Sequence, residues 1–217
     1  MLLYYITDRK QFPGDAAEKE RRVLAKIAEC AAAGVDYIQL REKDLGAREL
    51  EALATKASRC IPAVSRTRLL VNSRCDVALA CGAHGVHLPA GDLAPGDARG
   101  IFVRAGAANA VIGVSTHSLE EVAAADEQGA SFIVFGPVFE KSGQANPHGL
   151  EQLRQACHRP RTEASPVPVL ALGGITLENA RVCLDAGAAG IAAIRLFQEN
   201  PAAEIASRVQ TIAKLSR

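Results

Sequence analysis

Short apolar runs rich in Val, Ile and Leu alternate along this chain with alanine-rich stretches of helical composition, and that alternation limits the fold more than any other feature. The runs fall at residues 2–6, 35–40, 68–71, 85–88, 110–114, 131–135, 167–172 and 190–194. Strands that are apolar on successive positions need cover on both faces, which parallel strands receive from the helices that connect them. Eight such strands alternating with helices predict an α/β protein, a single-domain (β/α)8 TIM barrel over residues 1–217. A weak internal echo supports this. The junctions Ala33-Gly34, Cys81-Gly82, Gln128-Gly129 and Ala186-Gly187 lead into strands two, four, six and eight, each Gly placed to end a helix in the left-handed conformation. An open doubly wound sheet is the alternative, but no GxGxxG turn follows the first strand.

With 48% of its 217 residues apolar, the chain has ample material for one core. A formal net charge of +1 argues against a dedicated nucleic-acid or anionic-membrane surface and points to small-molecule partners. No apolar run approaches the roughly 20 residues of a membrane span, and the chain enters its first strand without a signal-peptide pattern. The six cysteines form no CxxC pair and lie mostly among Ala and Leu. They read as reduced thiols of a cytoplasmic enzyme, not as disulfides or a metal cage. The sequence is compatible with a homo-oligomer.

In a barrel the chemistry sits in loops at the carboxyl ends of the strands. The residues there are Thr7, Asp8 and Arg9; Gln39, Arg41 and Lys43; Asn72, Ser73 and Arg74; His87 and Asp92; Ser115, Thr116 and His117; 136–144; Gly173 and Gly174; and Arg195. This lining is rich in cations and hydrogen-bond donors and short of carboxylates, which suits a phosphate or pyrophosphate with one divalent metal at Asp92. Gln39, Arg41 and Lys43 alternate, so an extended chain puts all three on one face. Gly173-Gly174 precedes Thr176, read as the N-cap of a helix beginning at Leu177, an arrangement that brings backbone N–H groups to a phosphate. Plainer readings compete: Arg41 and Lys43 as solvated charges, Ser115 and Thr116 as helix caps beside a Ser118–Glu121 capping box, Asp92 as a turn residue, Gly173-Gly174 as packing, His117 as a loop residue, His87 as a structural histidine. Residues 140–148, with Gly143 and Pro147, read as a loop that closes over substrate.

The ordered set Tyr5-Ile6-Thr7-Asp8-Arg9, IQLREK at 38–43, Gly85-Val86-His87-Leu88, Ile112-Gly113-Val114-Ser115-Thr116-His117, Phe135-Gly136-Pro137-Val138-Phe139, Gly149-Leu150 and Gly173-Gly174-Ile175 resembles the thiamine phosphate synthase and TenI family over nearly the whole chain. The resemblance implies an enzyme that joins an aminopyrimidine methyl pyrophosphate to a thiazole phosphate, releasing pyrophosphate with Mg2+. It gives Gln39, Arg41 and Lys43 the pyrimidine and pyrophosphate, Ser115 a pyrophosphate oxygen, Asn72 and Lys141 further substrate contacts, Asp92 the metal, and Gly173, Gly174 and Arg195 the thiazole phosphate.

Departures from the synthase pattern cluster in the metal and pyrophosphate half. Ser73 stands where synthases carry Asp; Pro89-Ala90-Gly91-Asp92 replaces Gly-Gln-Glu-Asp; Lys141 is the substitute for a lysine that falls near Gln144; and Arg195 replaces a Ser. The sister activity, a TenI-type thiazole tautomerase with His117 as its acid/base, is the alternative. So is a barrel that holds a thiamine intermediate without turnover. A phosphosugar isomerase-like barrel is a further rival, with Asp8 as its only candidate carboxylate.

Overall fold

The computed structural model describes residues 1–139, 147–159 and 167–215. Eight parallel strands, β1 (Leu2–Ile6), β2 (Tyr37–Leu40), β3 (Arg68–Asn72), β4 (Gly85–Leu88), β5 (Val111–Thr116), β6 (Phe132–Phe135), β7 (Val169–Leu172) and β8 (Gly190–Ala193), pair each with the next. The ring closes where β1 pairs with β8, from Leu2 opposite Gly190 to Tyr5 opposite Ala193, so the open doubly wound sheet is excluded. The outer layer holds α1 (Ala16–Ala32), α2 (Ala47–Cys60), α3 (Cys75–Ala80), α4 (Pro95–Arg104), α5 (Leu119–Glu127), α6 (Pro147–Cys157), α7 (Ala180–Asp185), α8 (Arg195–Glu199) and α9 (Ala202–Leu215).

All eight predicted runs became strands, with ends shifted by a residue or two. β2 starts at Tyr37, not residue 35, because the preceding turn is spoken for: Val35 N–H donates to the Cys30 carbonyl, and the Asp36 carboxylate accepts Leu3 N–H at 2.8 Å. The four echoed glycines, Gly34, Gly82, Gly129 and Gly187, sit at φ of 77, 65, 75 and 98°, the left-handed turn that lets a helix stop and re-enter the sheet.

Strand alternation divides the apolar residues into two cores. Tyr4, Ile6, Leu70, Val111, Phe132, Val134, Leu170 and Ala192 fill the barrel interior, while Leu3, Tyr5, Ile38, Leu40, Leu69 and Val71 face the helices. Inside, Phe132 meets Tyr4 edge-on at 5.2 Å and stacks on Tyr37 at 4.7 Å. Burying each such ring contributes about 1.5–3 kcal/mol, so the interior is a packed core, and in a barrel of this kind chemistry sits at the upper rim. The six cysteines are free thiols, four of them buried. No helix among the described residues is long and apolar enough to cross a membrane.

Candidate active site

The inward parity that places Tyr4 and Phe132 in the core places polar residues directly above them. Tyr4, Gln39 and His87 are each at most 2% exposed, and an apolar interior tolerates them only because they bond to one another. The Gln39 amide donates to the Tyr4 hydroxyl at 3.0 Å, the Tyr4 hydroxyl and His87 Nδ1 are 3.0 Å apart, and His87 Nε2 lies 2.8 Å from Ser115 Oγ. His87 is therefore a satisfied buried histidine, as its apolar strand suggests, and it is also joined to a residue of the rim.

Arg41 follows Gln39 at the next inward position and is half-buried. Among the described residues its guanidinium has no hydrogen bond or ion pair. Burial first, and the Arg41 charge second, push His87 down to about 3, which places the guanidinium beside the polar chain. Lys43 lies three residues beyond the end of β2, in a turn, and is exposed. The alternation that aims Gln39 and Arg41 inward thus stops short of it.

Glu42 is the residue that the sequence reading passed over. It is 4% exposed and accepts the Thr7 hydroxyl at 2.6 Å, the Arg9 backbone N–H at 3.1 and 3.2 Å, and the Arg9 guanidinium at 3.4 Å. Thr7 Oγ1 in turn accepts Arg41 N–H at 3.0 Å, so the carboxylate ties the loop after β1 to the backbone of Arg41. Burial raises its pKa, against the lowering by Thr7 and Arg9. The signal was parity: Glu42 shares the helix-facing side of β2 with Leu40, where a carboxylate needs partners.

Asn72 ends β3 on the inward side, and its side-chain amide has no partner among the described residues. Ser73 adopts φ 65°, the left-handed region, with its N–H on the His87 carbonyl at 2.8 Å and its hydroxyl donating to the Asp92 carboxylate. Asp92 also accepts Leu93 N–H at 2.8 Å, so it serves its turn as well as facing Ser73. No group of three or more His, Cys, Asp or Glu side chains gathers around a common point among the described residues. The oxygen donors here are one carboxylate and one hydroxyl. That set fits Mg2+, which keeps several waters and completes its shell with phosphate oxygens.

β5 runs through Ser115 and Thr116, so neither caps the next helix. Ser118 does, accepting Glu121 N–H at 3.2 Å, while the Glu121 carboxylate reaches back to His117 N–H at 2.6 Å, not to that of Ser118. His117 is exposed, its Nδ1 bonded to the Gly136 carbonyl, which leaves Nε2 as an acceptor without a partner among the described residues.

On the opposite arc, Gly173 and Gly174 take φ of 99 and 60°. A Cβ on Gly173 would lie 2.6 Å from the Pro137 Cα, so close packing is one reason for glycine there. The helix does not begin at Leu177. Thr176 N–H donates to Asn179 Oδ1 at 2.8 Å, Asn179 Nδ2 donates to the Gly174 carbonyl at 2.9 Å, and the turn closes on itself before α7 opens at Ala180. Arg195, the first residue of α8, is exposed on the neighbouring rim, and Asp8, at the end of β1, accepts from the Gln11 amide at 2.8 Å. Lys141 and most of the 140–148 loop lie outside the described residues.

The rim therefore has two halves. β2 to β5 carry an amide carbonyl, a guanidinium, an amide and a hydroxyl, and β7, opposite β3 in the ring, carries the glycine turn. A family model described as thiamine monophosphate synthase matches residues 3–197. The thiamine-phosphate synthase of Halalkalibacterium halodurans is 38% identical over 202 residues, covering 88% of this chain and 85% of that one. That of Koribacter versatilis is 35% identical over 195 residues, covering 88% and 86%. The solved thiamine phosphate pyrophosphorylase of Pyrococcus furiosus superposes with a TM-score of 0.78 at 30% identity, over 99% of this chain and 96% of that chain. The matched span runs from β1 into α8 and takes in all eight strands, and on that ground the chain belongs to the thiamine monophosphate synthase family.

Proposed function

We propose that the protein is a thiamine-phosphate synthase, joining an aminopyrimidine methyl pyrophosphate to a thiazole phosphate with loss of pyrophosphate. One observation carries the reading: the half-buried guanidinium of Arg41, which has no hydrogen bond or ion pair among the described residues, sits on the same rim as Asn72 and Ser115 in a barrel of this family. A site that leaves such a charge unneutralised is complementary to an anion.

In the reaction the bond from the pyrimidine methylene carbon to the pyrophosphate oxygen breaks, and the thiazole nitrogen bonds to that carbon. Charge develops on the leaving oxygen, so the gain comes from groups aimed at it, here Arg41 and Ser115, with Lys43 retained as a pyrophosphate contact on sequence grounds. Gln39 offers its amide oxygen to the pyrimidine amino group, and Asn72 its amide to the same substrate. Asp92 and Ser73 would hold the metal, which would supply charge neutralisation for the leaving pyrophosphate. Gly173, Gly174 and Arg195 take the thiazole phosphate, and Lys141 remains a pyrophosphate contact on sequence grounds. The bond exchange needs little proton transfer, which agrees with a rim short of carboxylates.

A second reading rests on His117. Its Nδ1 is held by the Gly136 carbonyl and its Nε2 has no hydrogen bond among the described residues, the arrangement of a general base, as a thiazole tautomerase requires. Incubating the protein with both substrates and Mg2+, and following thiamine phosphate by chromatography, separates the two. Product that disappears in Arg41→Ala establishes the synthase. Absence of product from folded protein, with His117-dependent isomerisation of the thiazole, establishes the tautomerase.

A further inference from the structure

We propose that Tyr4 and His87 are positioning residues that hold Ser115 Oγ as a hydrogen-bond donor toward the pyrophosphate end of the substrate, with His87 in its Nε2–H form. The inference rests on the synthase reading for its ligand and on the geometry alone for its proton order. Gln39, Tyr4, His87 and Ser115 form one unbranched chain across β2, β1, β4 and β5, with links of 3.0, 3.0 and 2.8 Å. Such a chain has two proton orders, and every link must follow the first. With the Gln39 N–H donating to the Tyr4 oxygen, the single phenol proton goes to His87 Nδ1, the imidazole proton sits on Nε2, and Nε2–H donates to Ser115 Oγ. The serine proton is then left for a ligand in the mouth.

The reverse order would turn the serine proton down onto Nε2 and present a lone pair to an anion beside Arg41, which an anion disfavours. The ring is 2% exposed and each of its nitrogens faces one hydroxyl, so a neutral imidazole with a single N–H to place satisfies both links. Burial likewise raises the Tyr4 pKa, keeping the phenol a donor. The ring is also fixed in place: a Cβ at Gly113 would lie 2.8 Å from His87 Nδ1 and 2.5 Å from Phe132 Cζ, so glycine there makes the room that the imidazole fills.

Long-range 1H–15N correlation on histidine-labelled protein, with the His87 signals identified by their loss in His87→Gln, reads the tautomer without any substrate. A protonated Nε2 with a bare Nδ1 is expected, and a protonated Nδ1 overturns the proposal. Titration with inorganic pyrophosphate and Mg2+ reads the consequence. Tyr4→Phe and His87→Leu are expected to weaken binding about tenfold, as Ser115→Ala does, while His87→Gln, whose amide N–H replaces Nε2–H, stays within about threefold of the parent protein. Should Tyr4→Phe not fold, the two His87 variants decide the matter. Equal binding by His87→Leu and the parent protein, or equal loss in both His87 variants, overturns the positioning role. In turnover the KM for the pyrophosphate substrate is expected to rise with that for thiazole phosphate unchanged. Protein that forms no thiamine phosphate yet shows the stated tautomer and binding pattern overturns the synthase reading and leaves this one standing.

Discussion

A buried polar atom with a partner and one without make opposite contributions, and β1 carries both on consecutive residues. Tyr4 points into the barrel and its hydroxyl is bonded on two sides, whereas Tyr5 points to the helices, packs on Phe197 at 5.6 Å, and leaves its hydroxyl buried without a partner among the described residues. An unmade hydrogen bond of this kind costs about 1–3 kcal/mol of desolvation, partly offset by the packing of the oxygen itself. Tyr5→Phe is therefore expected to leave stability unchanged or raise it by about 1 kcal/mol in urea unfolding, and a loss above about 1 kcal/mol would show that the hydroxyl has a partner. Arg41 presents the converse. Because its side chain makes no hydrogen bond or ion pair among the described residues, Arg41→Ala is expected to move the melting temperature by no more than about 2 °C while lowering kcat/KM for the pyrophosphate substrate by roughly 10²–10³. A variant that unfolds early would instead place Arg41 in the scaffold.

At the scale of an element, the end of β2 shows how far a strand pattern carries. Period two aims Gln39 and Arg41 at the mouth, as read from the sequence, and the same rule aims Leu40 and Glu42 away from it, which was there to be read and marks Glu42 as the anchor. The rule ends with the strand, so it says nothing about Lys43. Glu42 makes a prediction in pH. Burial raises its folded-state pKa above 4.5, so in the window between that value and the raised one the folded chain binds more protons than the unfolded chain, and stability falls as pH rises. The contribution is complete below the unfolded value and is lost as pH passes the folded one. Since Glu42→Gln has no such proton, the stability difference, parent minus variant, is expected to be largest below the unfolded value of 4.5 and to shrink as pH rises above it. A difference that grows with pH would mean that the bonds from Thr7 and Arg9 outweigh burial.

Over the whole molecule, the fold was legible because it is written in a repeat: each apolar run and each helix-ending glycine states the same unit, and eight units close a ring. The site was legible where it lies in one strand and illegible where it is assembled from several. Thr176 and Asn179 are both natural cap formers, and they cap each other, Thr176 Oγ1 accepting Asn179 N–H at 3.3 Å and Asn179 Oδ1 accepting Thr176 N–H at 2.8 Å, a reciprocity that spacing alone does not announce. The bonds of His87 to Tyr4 and Ser115 join residues 83 and 28 positions apart, which no local pattern announces. This assembly has a thermodynamic consequence. A ligand that touches β2, β3, β4 and β5 at once binds only the closed ring, so its whole binding free energy appears as stability of the fold. Pyrophosphate with Mg2+ at about a hundred times its dissociation constant is expected to add about 2.7 kcal/mol, a rise of roughly 5–10 °C in melting temperature for a chain of this length. Asp92 is the carboxylate that accepts the Ser73 hydroxyl, so Asp92→Ala is expected to abolish the increment due to the metal and to keep the smaller increment due to pyrophosphate alone. If Mg2+ still adds to the melting temperature of Asp92→Ala in the presence of pyrophosphate, the metal is held by the ligand and not by β4, and the loss of a family carboxylate at Ser73 is then complete at this rim.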